Sequence, residues 1–421
     1  MQLLLLLLTF AISLILPFIE GYGYGRGVSS GISAFIESNN NFAFALYKDL
    51  LKEKNLVISP WSISRGLASI YLGAQNYTKR EMEEVLFKNE AGVTGKEMIV
   101  SYGHLERLLK RKAQVDLTTF NAAMIQQGSP VSETYKHRLF HYFNSILYDL
   151  DMANHGKLVR DWINILVEIK TNGLIKDILT KVPTSDTILL LLNGIHYKGE
   201  WVQKFDPELT TVSTFYNTDK VPVQAATMLS TSNFTYRYSH LDDVHVLRLP
   251  LQGKFAMTFV MPGENGSLEE VGKTLNYKTL QRIINEEATQ KMIKLSLPKF
   301  KLESKEDLAE ALIDLGMHTL FSPVNADLGG IDQNKGLFLK DVIHQATVEV
   351  SEEGVEAAAT TILGVESRLG AIYIPFNRPF MFLIEDLDTG LIIFMGHLSD
   401  CTNVCAVPPS DDQQKLNSDS F

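Results

Sequence analysis

Cysteine is almost absent: among 421 residues only Cys401 and Cys405 carry sulfur that can be oxidised to a disulfide, and both fall within the last 21 positions. The main fold therefore cannot depend on disulfides; the two thiols can pair with each other, pair between chains or stay free. An excess of basic charge is missing too. The net charge is -10 and the isoelectric point about 5.5, which argues against general affinity for nucleic acid. No low-complexity tract, repeat or Pro/Gly/Ser-rich linker divides the chain. Single cores usually stop growing near ~250–300 residues, yet without a linker one large domain is the better reading. With 45% hydrophobic and 21% charged residues, core-forming material is ample and general disorder is excluded.

Only one apolar run approaches the length of a membrane span. It is the opening "MQLLLLLLTFAISLILPFIEG", apolar from Leu3 to Ile19 except at Thr9, Ser13 and Pro17, and closed by small residues. A basic start is lacking, but the pattern otherwise reads as a secretory signal, residues 1–21, cut after Gly21. The mature chain is then secreted and extracellular, without a membrane partner. On that reading the N-x-S/T sequons at Asn76, Asn233 and Asn265 are glycosylation sites.

Catalytic and metal-binding constellations are also lacking. "GVSSG", Gly27 to Gly31, matches G-x-S-x-G, but a nucleophile elbow needs a strand before the serine and a helix after it. Ser29 follows the leader and a Gly-rich "GYGYGRG" that reads as a flexible mature terminus. His137 and His141 share a helix face, yet "HRLFH" lacks the glutamate of a zinc motif and no partner ligand follows. No enzyme activity, metal or cofactor is expected.

What is present is mixed structure. Phe42, Leu46 and Leu50 recur at helical spacing and predict a helix over 39–54 with asparagine as its cap. "REMEEVLF", "EMIVSYGHLERLLKRK" and "YKHRLFHYFN" are helical in the same way. Later come strands: "VHVLRLPL", "KFAMTFVMP", "MIKLSLPKF", and the pair "FMFLIEDL" and "LIIFMGHL" around a turn at Asp388-Thr389-Gly390. Helices dominate early and strands late, which points to α+β.

One stretch fits neither pattern. "SEEGVEAAATT", residues 351–361, is rich in small side chains. Glu and Ala favour a helix. At period two, Val355, Ala357, Ala359 and Thr361 share one face, and Glu356, Ala358 and Thr360 the other, so one face is small and uncharged. From the residues alone, helix, loop and a strand in waiting all stay open.

"EEGVEAAATT" resembles the reactive-loop hinge of the serpins, large inhibitors of serine proteases. "NLVISPWSIS", "LLNGIHYKGEW", "LPKFKLESKEDLAEALIDLGMHTLFSPVNADLGGI", "LFLKDVIHQATVEVSEEG" and "IPFNRPFMFLIEDLDTGLIIFMGHL" extend the likeness over nearly the whole mature chain. The resemblance implies a serpin fold over 22–399: a single large domain, three β-sheets, eight or nine helices and an exposed reactive-centre loop at about 352–375. It implies a monomeric suicide inhibitor whose hinge, Glu352, Glu353, Gly354, Val355, Glu356, Ala357, Ala358, Ala359 and Thr360, enters the main sheet after the loop is cut. Counted fourteen positions from Gly354, the bait is Arg368 and the reactive bond Arg368–Leu369. Arg368 is also the only basic residue between Gly354 and Asn377. An arginine there suits a trypsin-like S1 pocket with a carboxylate at its base.

The same resemblance places Ser59, Ser62, Asn193 and His344 in a shutter beneath the main sheet and Trp201 at the breach where insertion begins. Some serpins bind heparin through a basic helix in the region of "HLERLLKRK", where Arg107, Lys110, Arg111 and Lys112 are candidate contacts for a glycosaminoglycan. Two departures stand out. Val355 replaces the usual Thr or Ser, which keeps a non-inhibitory carrier or partner-binding protein as the alternative. The acidic extension 400–421 carries both cysteines and runs past the usual end of the family.

Overall fold

The first described helix, α1 (Arg26–Asp49), begins well before the predicted start at 39, inside the stretch read as a flexible terminus. Asn39 and Asn40 are not caps: both are buried inside α1. Asn40 donates to Gly390 O at 2.7 Å and accepts from Ile392 N–H at 3.0 Å, while Asn39 Oδ1 accepts from Ser64 Oγ at 2.7 Å. Asn40, bonded through both its amide oxygen and its nitrogen, is accommodated in a helix interior that propensity alone would interrupt. "GVSSG" lies in the same helix, so Ser29 sits on no elbow. The computed structural model describes residues 26–112, 116–333, 336–352 and 370–405.

After α1 come β1 (Asn55–Ile58), α2 (Pro60–Tyr71), α3 (Asn76–Leu86), α4 (Gly95–Lys110), β2 (Asp116–Gln126), α5 (Glu133–Phe143), β3 (Leu147–Leu150), α6 (Met152–Lys170) and β4 (Leu189–Lys198). The strand-rich half follows: β5 (Thr211–Tyr216), β6 (Pro222–Ser239), β7 (Val244–Leu251), β8 (Phe255–Pro262), two short helices α7 (Leu268–Thr274) and α8 (Tyr277–Arg282), then β9 (Thr289–Pro298) and β10 (Phe300–Asp307). The chain closes with α9 (Ala309–Asp314), β11 (Leu339–Val350), β12 (Ile372–Pro375), β13 (Phe380–Asp386) and β14 (Ile392–Leu398). The predicted turn between β13 and β14 holds, with Gly390 at φ +78°, a conformation that favours glycine.

β6 is shared by two sheets. Its later residues pair with β7 in the array β1-β14-β13-β8-β7-β6, while Pro222–Thr227 pair with β5 and Thr227–Tyr236 with β9, which in turn carries β12. The third sheet has five strands in the order β10-β11-β4-β2-β3. This is the expected α+β fold with three sheets, and nine α-helices occur among the described residues.

The five-stranded sheet is covered on both faces along β4. Leu189, Leu191 and Ile195 join the main core, whereas Leu190 and Leu192 pack in a second cluster with Val159, Ile163 and Val167 of α6. That double burial gives β4 an uninterrupted apolar run, "LLLL", rather than alternation.

Candidate functional site

β11 and β4 lie side by side and run parallel, from Leu339↔Leu189 to Val348↔Tyr197. Their outer neighbours, β10 and β2, pair with them antiparallel. The register sets His344 beside Asn193, and Asn193 opposite Asn121 of β2. Three polar side chains thus form a row across three strands in an apolar interior.

The row is closely satisfied. Ser59 N–H donates to His344 Nε2 at 3.1 Å, so Nε2 is an acceptor and the proton of the neutral ring sits on Nδ1, which donates to Asn193 Oδ1. Asn193 Nδ2 reaches Ser62 Oγ at 2.6 Å, Ser62 O at 2.8 Å and Asn121 Oδ1. Asn121 Nδ2 donates to Ser62 Oγ at 3.3 Å. Ser59 caps α2, accepting from Ser62 N–H at 3.2 Å, and its hydroxyl donates to Ile393 O of β14 at 2.7 Å. Pro60 at the first helical turn fixes where α2 begins. The bond between His344 and Asn193 is a side-chain link across the parallel seam, and through Ser59 and Ser62 it ties that seam to α2 and β14.

Burial pushes the His344 pKa down to about 3. The unfolded ring titrates near ~6.5, so as pH falls the unfolded chain takes up the proton first. The stability supplied by the neutral ring is complete above ~6.5 and is lost as pH falls toward 3, about 2 kcal/mol of it by pH 5. His397, buried and pushed down to about 4, acts in the same direction. Thermal unfolding compared at about pH 7.5 and pH 5 should show the wild type losing ~2 kcal/mol more than His344→Gln. Equal losses in the two proteins would mean that His344 is not held neutral by this site.

The upper end of the seam is latched. Trp201, buried, donates from Nε1 to Ser351 O at 2.9 Å. Glu352 is buried and pairs with Lys299 Nζ at 2.6 Å and with the Thr210 hydroxyl. Burial opposes its ionisation, but Lys299 and Thr210 hold its carboxyl below the usual range. From Gly370 the described residues lead into β12, on a different sheet. Glu353, Gly354, Val355, Glu356, Ala357, Ala358, Ala359, Thr360, Arg368 and Leu369 lie outside the described residues.

Residues 37–401 match the family model described as serpin, serine protease inhibitor. The chain belongs to the serpin family. It is 34% identical over 367 residues to intracellular coagulation inhibitor 2 of Tachypleus tridentatus, covering 86% of this chain and 90% of that one. With antithrombin-III of Ovis aries the identity is 32% over 382 residues, 87% of this chain and 82% of the other. Among solved structures, human thyroxine-binding globulin complexed with thyroxine superposes with a TM-score of 0.81 at 28% identity, covering 89% of this chain and all of the other.

The structure of this serpin brings Ser59, Ser62, Asn193 and His344 into one network; Trp201 stands apart from it, bonded to Ser351 O just past the end of β11. Asn121 completes the network and was not singled out from sequence; the available signal was an asparagine between Phe120 and Ala122 in an otherwise strand-like run.

The basic residues of α4 are less uniform than their spacing suggests. Arg107, Lys110 and Arg111 are exposed. Lys112 is not: its side chain is 12% exposed, ion-pairs with Asp386 and with Asp388 at 3.1 Å, and lies 4.9 Å from the Phe255 ring centre. A solvent-facing cationic patch on this helix end is therefore built without Lys112.

Asn76, Asn233 and Asn265 are all exposed. His137 and His141 are exposed as well, their rings 6.4 Å apart, and among the described residues no group of three or more His, Cys, Asp or Glu could hold a metal. Of the three states open to the cysteines, the structure adopts the intramolecular one, a Cys401–Cys405 disulfide. Its turn docks on the start of β10, where Lys301 N–H donates to Val404 O at 3.0 Å. Among the described residues no helix is long and apolar enough to cross a membrane.

Proposed function

We propose that this serpin is a secreted suicide inhibitor of trypsin-like serine proteases, cleaved at Arg368–Leu369. One observation carries the reading. β11 and β4 are parallel neighbours, and the chain leaves β11 directly into the segment that holds the alanine-rich hinge. A segment that turns back from the top of β11 runs antiparallel to both strands and fits the seam between them, exchanging one parallel pairing for two antiparallel ones. The side-chain link to be broken is the His344–Asn193 bond; the latch to be released is Glu352–Lys299. Cleavage frees the far end of the loop, and insertion before hydrolysis of the acyl-enzyme leaves the protease covalently attached.

Arg368 supports the target class, because a guanidinium calls for a carboxylate in the S1 pocket. The leader 1–21 and the three exposed sequon asparagines support secretion and glycosylation. Arg107, Lys110 and Arg111 support a glycosaminoglycan contact at the end of α4.

The test is incubation with a panel of trypsin-like proteases followed by denaturing gels. A covalent complex larger than either protein is expected. The second reading is a carrier that no longer inhibits, favoured by Val355 and by the likeness to a thyroxine-binding globulin. It predicts cleavage at the loop with full protease activity left over, and that outcome would replace the first reading.

A further inference from the structure

A cavity of about 210 Å³ opens beside the shutter, and nothing described so far uses it. Its floor is one face of β2, where Leu117, Thr119 and Asn121 alternate at period two. Trp61 and Phe255 supply aromatic walls, and the end of α4 forms the rim with Leu109 and Lys110. Given about 30 Å³ per water in the liquid, the space corresponds to roughly seven waters, the size of a small organic molecule.

Its charges are unevenly shared. Arg65, Lys110 and Lys112 line the cavity against a single carboxylate, Glu106. Lys112 is held by Asp386 and Asp388. Arg65 and Lys110 share Glu106, both at 2.8 Å, so two cations are served by one anion. The C-terminal dipole of α4 supplies only about half a negative charge, and Arg107 and Arg111 on the same helix end add further positive charge. At the rim itself two cations, Arg65 and Lys110, therefore meet one carboxylate, Glu106. Lys110, with its side chain 64% exposed, is the cation free to swing onto a ligand.

We propose that this cavity is a binding site for a small amphipathic carboxylate, its apolar body between Trp61, Phe255 and Leu117 and its carboxylate paired with Lys110 at the rim. Such a ligand is linked to the seam through Asn121, which lines the cavity and also accepts from Asn193 Nδ2 and donates to Ser62 Oγ. A body seated on Asn121 braces β2 and β4 against α2, and so favours the closed seam over the open one. Binding itself does not depend on the inhibitory reading; the consequence for trapping rests on it.

Benzoate and its neutral isostere benzamide are suitable probes, applied to the full-length secreted chain at up to about 10 mM. Benzoate should raise the thermal unfolding midpoint and bind at least ~10-fold more tightly than benzamide, the fold-change expected for one charge-assisted hydrogen bond. Lys110→Gln should bring benzoate down to the affinity of benzamide, and Leu117→Trp, which fills the cavity, should abolish both. Circular dichroism and the unliganded midpoint show whether the variants fold; the two probes on the unaltered protein decide the proposal even where they do not. Equal affinity for both probes, or no midpoint shift with either, overturns the site. Saturating benzoate should also raise at least twofold the moles of inhibitor consumed per protease trapped. Binding with unchanged trapping overturns the coupling through Asn121, while an absence of covalent complex with and without benzoate counts against the inhibitory reading and leaves the binding result to stand by itself.

Discussion

Arg368→Ala should slow inhibition of trypsin-like proteases by at least ~30-fold, because it removes a desolvated charge from its partner in the S1 pocket. Pairs of that kind are worth about 2–5 kcal/mol when one side is truncated, and ~1.4 kcal/mol is tenfold in rate or affinity. Arg368→Lys should lose less, since the ammonium keeps the charge and gives up only the bidentate geometry. The measurement is the second-order rate of inhibition for the three proteins against one trypsin-like enzyme, with N-terminal sequencing of the released fragment. A fragment starting at Leu369 locates the bond. If the alanine variant inhibits as fast as the parent, the bait is a different residue.

The loss should be confined to recognition. Arg368 comes sixteen positions after Glu352 in the sequence, whereas the seam is made by β11, β4 and the His344–Asn193 bond, none of which includes it. Arg368→Ala should therefore keep the unfolding midpoint of the parent and the same pH dependence. This separates a failure of bait from a failure of the sheet.

How far the sequence carries depends on what each residue contacts. β7 and the β13–β14 hairpin were legible because a half-buried alternation and a glycine at positive φ are local signals. α6 and β4 were not marked by periodicity. β4 is buried on both faces, and α6 carries Leu158, Trp162, Ile165 and Ile169 on its exposed side as well as Val159, Ile163 and Val167 inside, so neither shows a single apolar stripe. Ser59, Ser62, Asn193 and His344 are picked out by resemblance to the family; their chemistry is not, because Asn193 acquires meaning only from the register that sets it between His344 and Asn121. Lys112 shows the same limit from the other side. At the end of a basic helix it reads as solvated, but its partners Asp386 and Asp388 arrive from a hairpin far along the chain. Asn39 and Asn40 look like caps for a like reason, their partners being on α2 and at the β13–β14 turn.

The mechanism itself is tested by two neighbouring substitutions. At period two Ala357 falls on the small, uncharged face of the hinge and Ala358 on the face with Glu356. A strand entering between β11 and β4 must match their pleat, and along β4 one set of alternate residues meets the main core. Ala357→Glu would then turn a carboxylate toward that core, at a cost of several kcal/mol unless it is protonated or paired. Ala358→Glu would set the same group on the opposite face, which α6 partly covers but which the parent hinge already supplies with the carboxylate of Glu356, so the cost is smaller. Both variants should be cut at Arg368–Leu369, since neither touches the bait. They should then diverge: Ala357→Glu releases active protease because hydrolysis of the acyl-enzyme outruns insertion, whereas Ala358→Glu retains a covalent complex on denaturing gels. Thermal unfolding of the cleaved proteins reads the same step independently, because insertion completes the sheet. The cleaved parent and cleaved Ala358→Glu should unfold well above their intact forms, and cleaved Ala357→Glu should lose part of that gain. Equal trapping and equal stabilisation in the two variants would mean that the hinge does not enter the seam in this register, and that the parallel β11–β4 pair is not where the loop inserts.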